Sequence, residues 1–110
     1  MGDLATKTCV PCSGGVPRLE GAEIARLAGQ VAGWEVVEEH HLRRRYEFPN
    51  FGRALEFVNR VGRVAEAEGH HPDISFGWGY CELTVYTHAV GGLTESDFIL
   101  AAKIDRLRVV

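Results

Sequence analysis

Apolar positions change their period along the chain, and these changes outline the elements of its first half. Between residues 19 and 31 apolar side chains recur mostly at helical spacing, and Gly33 follows as a stop. Residues 34–37 and 41–48 are rich in Val, aromatic and alternating residues, and a polar connection separates them. The pattern predicts a helix and then a β-hairpin. One face of the second strand carries Leu42, Tyr46 and Phe48.

The second half of the chain repeats the order of helix and hairpin. Asn50 is a good N-cap for a helix that runs to about Glu68 and ends at Gly69, a residue suited to a left-handed turn. Alternating residues on either side of Gly79 then predict a second hairpin, with its apolar row directed at the core. This row contains Cys81, Leu83 and Val85.

A third helix completes the pattern. Gly91 and Gly92 break the strand, and Thr94 with Asp97 resembles a capping box that begins a helix running to about Leu107. This helix is apolar on two sides, which favours a homodimer or homotetramer, although a helix wedged between its neighbours in one monomer would show the same pattern.

The element order α-β-β-α-β-β-α predicts an α+β fold. Its two hairpins indicate a two-layer arrangement, a four-stranded antiparallel sheet with three helices on one face. We assign residues 19–110 to a single domain. Residues 1–18 carry Pro and Gly among small polar residues and are predicted to be an N-terminal arm or loop.

Charge and composition exclude several classes of partner. The formal net charge of −3 provides no basic field for nucleic acid or an anionic membrane, and the run from Arg43 to Arg45 is interpreted as a solvated sheet face. No stretch approaches the roughly 18 apolar residues of a membrane span, and the N-terminus lacks a secretory pattern. The three cysteines are too few for a disulfide framework, so we expect a cytoplasmic protein.

Histidines are the residues most capable of chemistry. The pair His40-His41 lies in a charged hairpin connection, where a surface role is expected. The pair His70-His71 stands between Gly69 and Pro72, and Glu66, four residues before His70, would be its neighbour on a helix face and could orient its imidazole.

The fifth histidine is expected to join the second pair. His88 ends the last predicted strand and should point to the open face of the sheet. Because the two arms of a hairpin start and end at one edge, His70, His71 and His88 should converge there. Zinc binding is the second interpretation of this group, but adjacent residues in extended backbone point apart and make poor joint ligands.

A CxxC segment, Cys9 to Cys12, is a weak signal for half of a zinc site or for a redox dithiol. A structural zinc site would usually have a second pair of cysteines, and a redox dithiol would follow a strand, but the sequence pattern shows neither. We interpret the segment as an arm of unknown purpose.

The segment EAEGHHPDISFGW begins at Glu66 and is followed along the chain by His88 and Asp97. With these residues and spacings the chain resembles the pterin-4a-carbinolamine dehydratase family, whose signature is filled across residues 66–97. The resemblance implies dehydration of a 4a-hydroxytetrahydropterin without metal or cofactor. It further implies that His70 and His88 are general acids, that His71 holds the ring, and that Glu66, Pro72 and Thr87 line the pocket. For Trp78 and Asp97 we favour structural roles, at the hairpin turn and at the cap of the last helix.

Other functions fit the same residues. Animal relatives also act as dimerisation partners of a transcription factor, so a pterin-binding or coactivator module is the main alternative from another class. A dehydratase for another heterocycle, or one in molybdopterin metabolism, is a further alternative. Zinc chemistry is the third.

Overall fold

The computed structural model describes residues 4–9 and 17–107 and confirms the predicted α+β order. Within this part of the chain the helices are α1 Gly21–Ala28, α2 Phe51–Glu68 and α3 Glu95–Asp105. The strands are β1 Glu35–Val37, β2 His41–Glu47, β3 Asp73–Gly77 and β4 Tyr80–Val85. Short 3₁₀ turns lie at Leu4–Thr6 and His88–Val90. No helix in the described ranges is long and apolar enough to cross a membrane.

The strands form an antiparallel sheet in the order β1-β2-β4-β3. Its register places Leu42 opposite Val85 and Tyr46 opposite Cys81, so the buried residues of β2 and β4 share one face. The helices cover this face, as predicted. The opposite face carries polar side chains such as Arg43 and Thr84, which pair across the same two strands.

The turn of the first hairpin has an unusual backbone. Glu38 and Glu39 have φ angles of 53° and 54°, and the His40 N–H donates to the Val37 carbonyl at 2.9 Å. Two successive left-handed residues match a type I′ turn, whose twist suits a hairpin but which normally carries Asn-Gly. Here both left-handed positions are occupied by glutamates, whose side chains strain this backbone conformation. The turn places His40 directly before the start of β2.

The interpretation of residues 43–45 as a solvated face was wrong for the middle arginine. Arg43 and Arg45 are exposed, but Arg44 lies opposite Leu83 on the helix side and is only 20% exposed. Arg44 Nη1 donates a hydrogen bond to Oδ1 of Asp105, at the end of α3, at 3.1 Å. A strand directs alternate side chains to opposite faces, so one of the three had to face inward.

Asp105 gathers several donors at one carboxylate oxygen. Its Oδ1 accepts hydrogen bonds from Trp34 Nε1 at 3.0 Å and Tyr46 Oη at 2.8 Å, besides Arg44. Trp34 and Tyr46 are both buried. Burial, and then the Asp105 charge, raises the pKa of Tyr46 well above its usual range. Asp105 therefore fastens the end of α3 to the first hairpin.

The second apolar side of α3 is covered within the monomer. The 3₁₀ turn Leu4–Thr6 packs against this helix, and Leu4 and Cys9 belong to the hydrophobic core. Lys103 Nζ donates to the Ala5 carbonyl at 3.0 Å, and the Cys9 N–H donates to Glu68 Oε1 at 2.9 Å. The alternative of a wedged helix thus explains the two-sided pattern, which no longer argues for an oligomer.

The described half of the CxxC segment is a core residue. Cys9 Sγ donates to the Ser96 carbonyl at 3.5 Å, and burial, followed by the charge of Glu68, raises the pKa of this thiol to about 12. A thiol that keeps its proton is a poor nucleophile and a poor metal ligand. Cys12 lies outside the described residues.

We predict that Asp105→Ala lowers the free energy of unfolding by about 2 kcal/mol, because the buried Trp34 N–H and Tyr46 O–H lose their acceptor. Urea unfolding followed by Trp fluorescence measures the change. The control is Glu47→Ala, which removes an exposed ion pair with Arg45 and should cost less than about 0.5 kcal/mol. Equal losses in the two variants would show that the Asp105 contacts stabilise the fold no more than an exposed ion pair does.

Candidate functional site

The site begins where α2 ends. Gly69 adopts the left-handed conformation, with φ of 65°, and the His70 N–H donates back to the Ala65 carbonyl at 3.2 Å. This turn takes the chain out of the helix, and Pro72 then restricts His71 to extended geometry before β3 begins. As a result His70 and His71 find different carboxylate partners, although they are adjacent.

His70 points inward to Asp97. His70 Nε2 and Asp97 Oδ1 are 2.6 Å apart, and both residues are buried, with Asp97 0% exposed. The second carboxylate oxygen, Oδ2, accepts from Thr87 Oγ1 and from the Thr94 N–H, each at 2.8 Å. The predicted capping box is confirmed, but the purely structural role that we favoured for Asp97 omitted its contact with His70.

His71 points outward to Glu66. His71 Nε2 and Glu66 Oε2 are 2.6 Å apart, on side chains that are 57% and 79% exposed. The expectation that Glu66 would pair with His70 was therefore wrong. It assumed that the helix continues to His70, whereas the left-handed Gly69 ends the helical spacing first.

His88 does not lie on a strand, contrary to prediction. β4 ends at Val85, and His88 begins a 3₁₀ turn that is closed by Gly91 in the left-handed conformation. The Thr87 N–H donates to the Gly92 carbonyl at 2.8 Å, and this hydrogen bond closes the base of the turn. His88 therefore lies on the turn, outside the sheet, and its side chain is exposed.

The structure nevertheless brings the three imidazoles to one cavity of about 350 Å³. Pro72 and Thr87 also line it, although the Thr87 hydroxyl faces inward to Asp97 and Thr94. Glu66 is not among the lining residues, but its carboxylate contacts the lining residue His71. The full lining consists of Gly69, His70, His71, Pro72, Asp73, Tyr86, Thr87, His88 and Ala89.

Trp78 lies away from this cavity. It stands at the turn of the second hairpin and is 72% exposed, so the packing role that we expected there is absent from the described structure. The histidines lie at the open end of this hairpin, where Asp73 pairs with Thr84, whereas Trp78 lies at the turn, next to the pair of Gly77 and Tyr80.

The pair His40-His41 is less superficial than predicted. Both side chains are half-buried, and their Nδ1 atoms are 3.1 Å apart. Burial, and then the charge of His40, lowers the pKa of His41. The His40 ring also contacts Tyr86, a cavity residue, with ring centroids 4.7 Å apart.

Sequence reasoning missed Tyr86 as a cavity residue. Its signal was available, since Tyr86 shares strand parity with Thr84 and follows the last buried residue of β4. What the pattern does not contain is the turn that folds His88 over the Tyr86 ring, where the two centroids lie 4.1 Å apart.

Other clefts in the described structure are larger but chemically poorer. One of about 450 Å³ contains Arg18, Glu39 and His40, and one of about 560 Å³ lies along α2 between Asn50 and Arg63. Neither gathers several imidazoles. In the described ranges no group of three or more His, Cys, Asp or Glu side chains is arranged to hold a metal ion.

Comparison with known proteins agrees with the geometry. The family model for pterin 4 alpha carbinolamine dehydratase matches residues 17–107. The chain belongs to this family. A relative from Rubrobacter xylanophilus that carries the family's name is 65% identical over 97% of this chain and 100% of its own length. Another, from Rickettsia canadensis, is 50% identical over 93% of this chain and 94% of its own length.

Solved structures include similar folds. A transcriptional coactivator/pterin dehydratase from Brucella melitensis has a TM-score of 0.76 and 28% identity, over 81% of this chain and 96% of its own. A pterin dehydratase-like protein identified as a RuBisCO assembly factor in the alpha-carboxysome has a TM-score of 0.55 and 25% identity, over 67% of this chain and 84% of its own. Membership of the dehydratase family makes the chain an enzyme of the hydro-lyase class.

Proposed function

We propose that this chain dehydrates a 4a-hydroxytetrahydropterin to the quinonoid dihydropterin, in the recycling of the cofactor of aromatic amino acid hydroxylases. The observation that carries the proposal is the shared cavity of His70, His71 and His88. Family membership supports the same substrate class.

The reaction needs one proton delivered and one removed. The bond between the ring carbon and its hydroxyl breaks, a proton joins the departing oxygen to give water, and a proton leaves the adjacent ring nitrogen as the carbon–nitrogen double bond forms. Imidazole serves either role near neutral pH, since its unperturbed pKa is about 6.5. A positioned acid or base contributes roughly 10² to 10⁴ in rate. The nitrogen's own electrons assist, so the proposal requires neither metal nor cofactor.

The environments of the three histidines support different roles. A buried carboxylate beside an imidazole fixes its tautomer and stabilises the positive charge that forms on the ring during proton transfer, as Asp97 is placed to do for His70. His88 is exposed on its turn. We assign proton delivery to the hydroxyl to His70 and His88, one on each side of the pterin ring.

His71 is assigned to binding and proton transfer. Its imidazole is held by Glu66 at the mouth of the cavity, and carboxylates pair well with ring N–H groups of a pterin. Pro72 and Thr87 also line the cavity.

We predict that His71→Ala lowers the rate of dehydration by about 10²-fold or more, because it removes a positioned imidazole. The loss of 4a-hydroxypterin absorbance measures the rate, and circular dichroism confirms the fold. Arg60→Ala, in the larger cleft along α2, is the matched control and should keep wild-type activity. Activity that is unchanged in His71→Ala, or abolished by a chelator, would contradict the assignment.

We propose further that the chain forms a homo-oligomer through the outer edge of β3. Edge strands expose unpaired backbone groups, and in the described part of the chain nothing pairs with this edge. The large apolar side chains that are exposed in the described residues are Phe51, Leu55, Ile74 and Trp78, at 45%, 39%, 37% and 72%. Ile74 lies on β3, Trp78 follows β3 in the hairpin turn, and the Phe51 ring contacts Phe76 of β3, so we take these side chains as the apolar patch of the interface. A second copy, related by a two-fold axis, would cover the same patch on both partners.

Light scattering after size exclusion tests this interface. We expect the wild-type protein to have a molar mass of two or four chains, and Ile74→Lys to shift it toward one chain because a charge enters the patch. Arg60→Lys is the surface control and should leave the mass unchanged. A wild-type monomer at micromolar concentration would overturn the proposal.

A further inference from the structure

The rings of His40 and His88 both pack against the ring of Tyr86, and we call these three rings the ring column. Tyr86 and His88 are stacked, with centroids 4.1 Å apart and planes only 26° from parallel. The His40 ring is tilted against Tyr86, with centroids 4.7 Å apart and planes 40° from parallel. Contacts between aromatic rings stabilise their arrangement beyond the area that they bury.

His88 depends on such a contact more than the other histidines of the cavity do. Among the described contacts His70 is held by Asp97 and His71 by Glu66, each through a 2.6 Å hydrogen bond. In the described part of the chain, the His88 side chain packs against the face of the Tyr86 ring. Its backbone belongs to a short turn rather than to the sheet, so the turn alone leaves the imidazole free to rotate.

The far end of the column is fixed by the strained hairpin turn. The left-handed residues Glu38 and Glu39 lead directly into His40, whose N–H donates to Val37. His41, next along the chain, also lies near Tyr86, at 6.4 Å between centroids. The first hairpin therefore limits the movement of the Tyr86 ring.

We propose that Tyr86 is a positioning residue for the reaction proposed above: its ring holds the His88 imidazole at the cavity, and the His40 ring packs against the same Tyr86 ring. The inference rests on the proposed function of His88. It extends the site to the first hairpin, which the family signature across residues 66–97 does not include.

Two readouts on the full chain test the column. In proton–carbon spectra of the imidazoles, Tyr86→Leu should move the His88 ring protons downfield, because the ring current of Tyr86 is lost. The same variant should lower kcat roughly tenfold, toward the 10²-fold loss typical of a misplaced catalytic group. Tyr86→Phe retains the ring and should restore both signals to near wild type.

Tyr80→Leu is the matched control, since Tyr80 lies on the same strand and contacts Arg45 instead. It should change neither readout. If Tyr86→Leu fails to fold, His40→Ala removes the second ring that packs against Tyr86 and should give smaller changes in the same directions.

The outcomes separate the two proposals. Unmoved His88 protons in Tyr86→Leu, or moved protons with unchanged kcat, would overturn the positioning role. A wild-type protein that shows the ring-current shift but no dehydratase activity would support the stack and overturn the proposed function.

Discussion

The Asp97 carboxylate joins the elements on which the candidate site depends. It lies in the first turn of α3, is fully buried, and accepts hydrogen bonds from the start of its own helix, from the end of β4 and from the turn after α2. An ionised carboxylate is costly to bury unless every oxygen is paired. The N-terminus of a helix, where backbone N–H groups carry partial positive charge, is a favourable place for it. The same interaction therefore stabilises the helix cap and fixes His70.

The rest of the fold holds these three segments together. Asp105 fastens the other end of α3 to β2, and residues 4–9 cover the side of α3 that the sheet does not reach. Glu68 accepts from the Cys9 N–H and lies 3.4 Å from Lys103, so the arm also restrains the last turn of α2, two residues before His70. The hydrogen bond from Cys9, followed by the charge of Lys103, lowers the pKa of Glu68. Histidines on a turn and a helix end thus gain the rigidity that the proposed acid/base site requires.

Sequence patterns predicted what depends on period and caps. The buried row Cys81, Leu83 and Val85, the N-cap Asn50 and the left-handed Gly69 all follow from local chemistry, and the structure confirms them. The patterns do not contain the tertiary contacts. Strand alternation already turns Arg44 inward with Leu42 and Tyr46, but its partner Asp105 is distant in sequence. His88 leaves the sheet because Gly91 and the Thr87–Gly92 pair close a turn. Spacing also suggested that Glu66 would meet His70, although the backbone at Gly69 reassigns the partners.

Asp97→Asn isolates the contact between Asp97 and His70, because the amide oxygen preserves the helix cap while an NH₂ group replaces the acceptor facing His70. We expect a folded protein whose dehydration rate falls by roughly 10² to 10⁴, together with a change in the protonated nitrogen of His70 in nitrogen-15 spectra. A folded Asp97→Asn protein that dehydrates the pterin at the wild-type rate would show that the site does not depend on this contact.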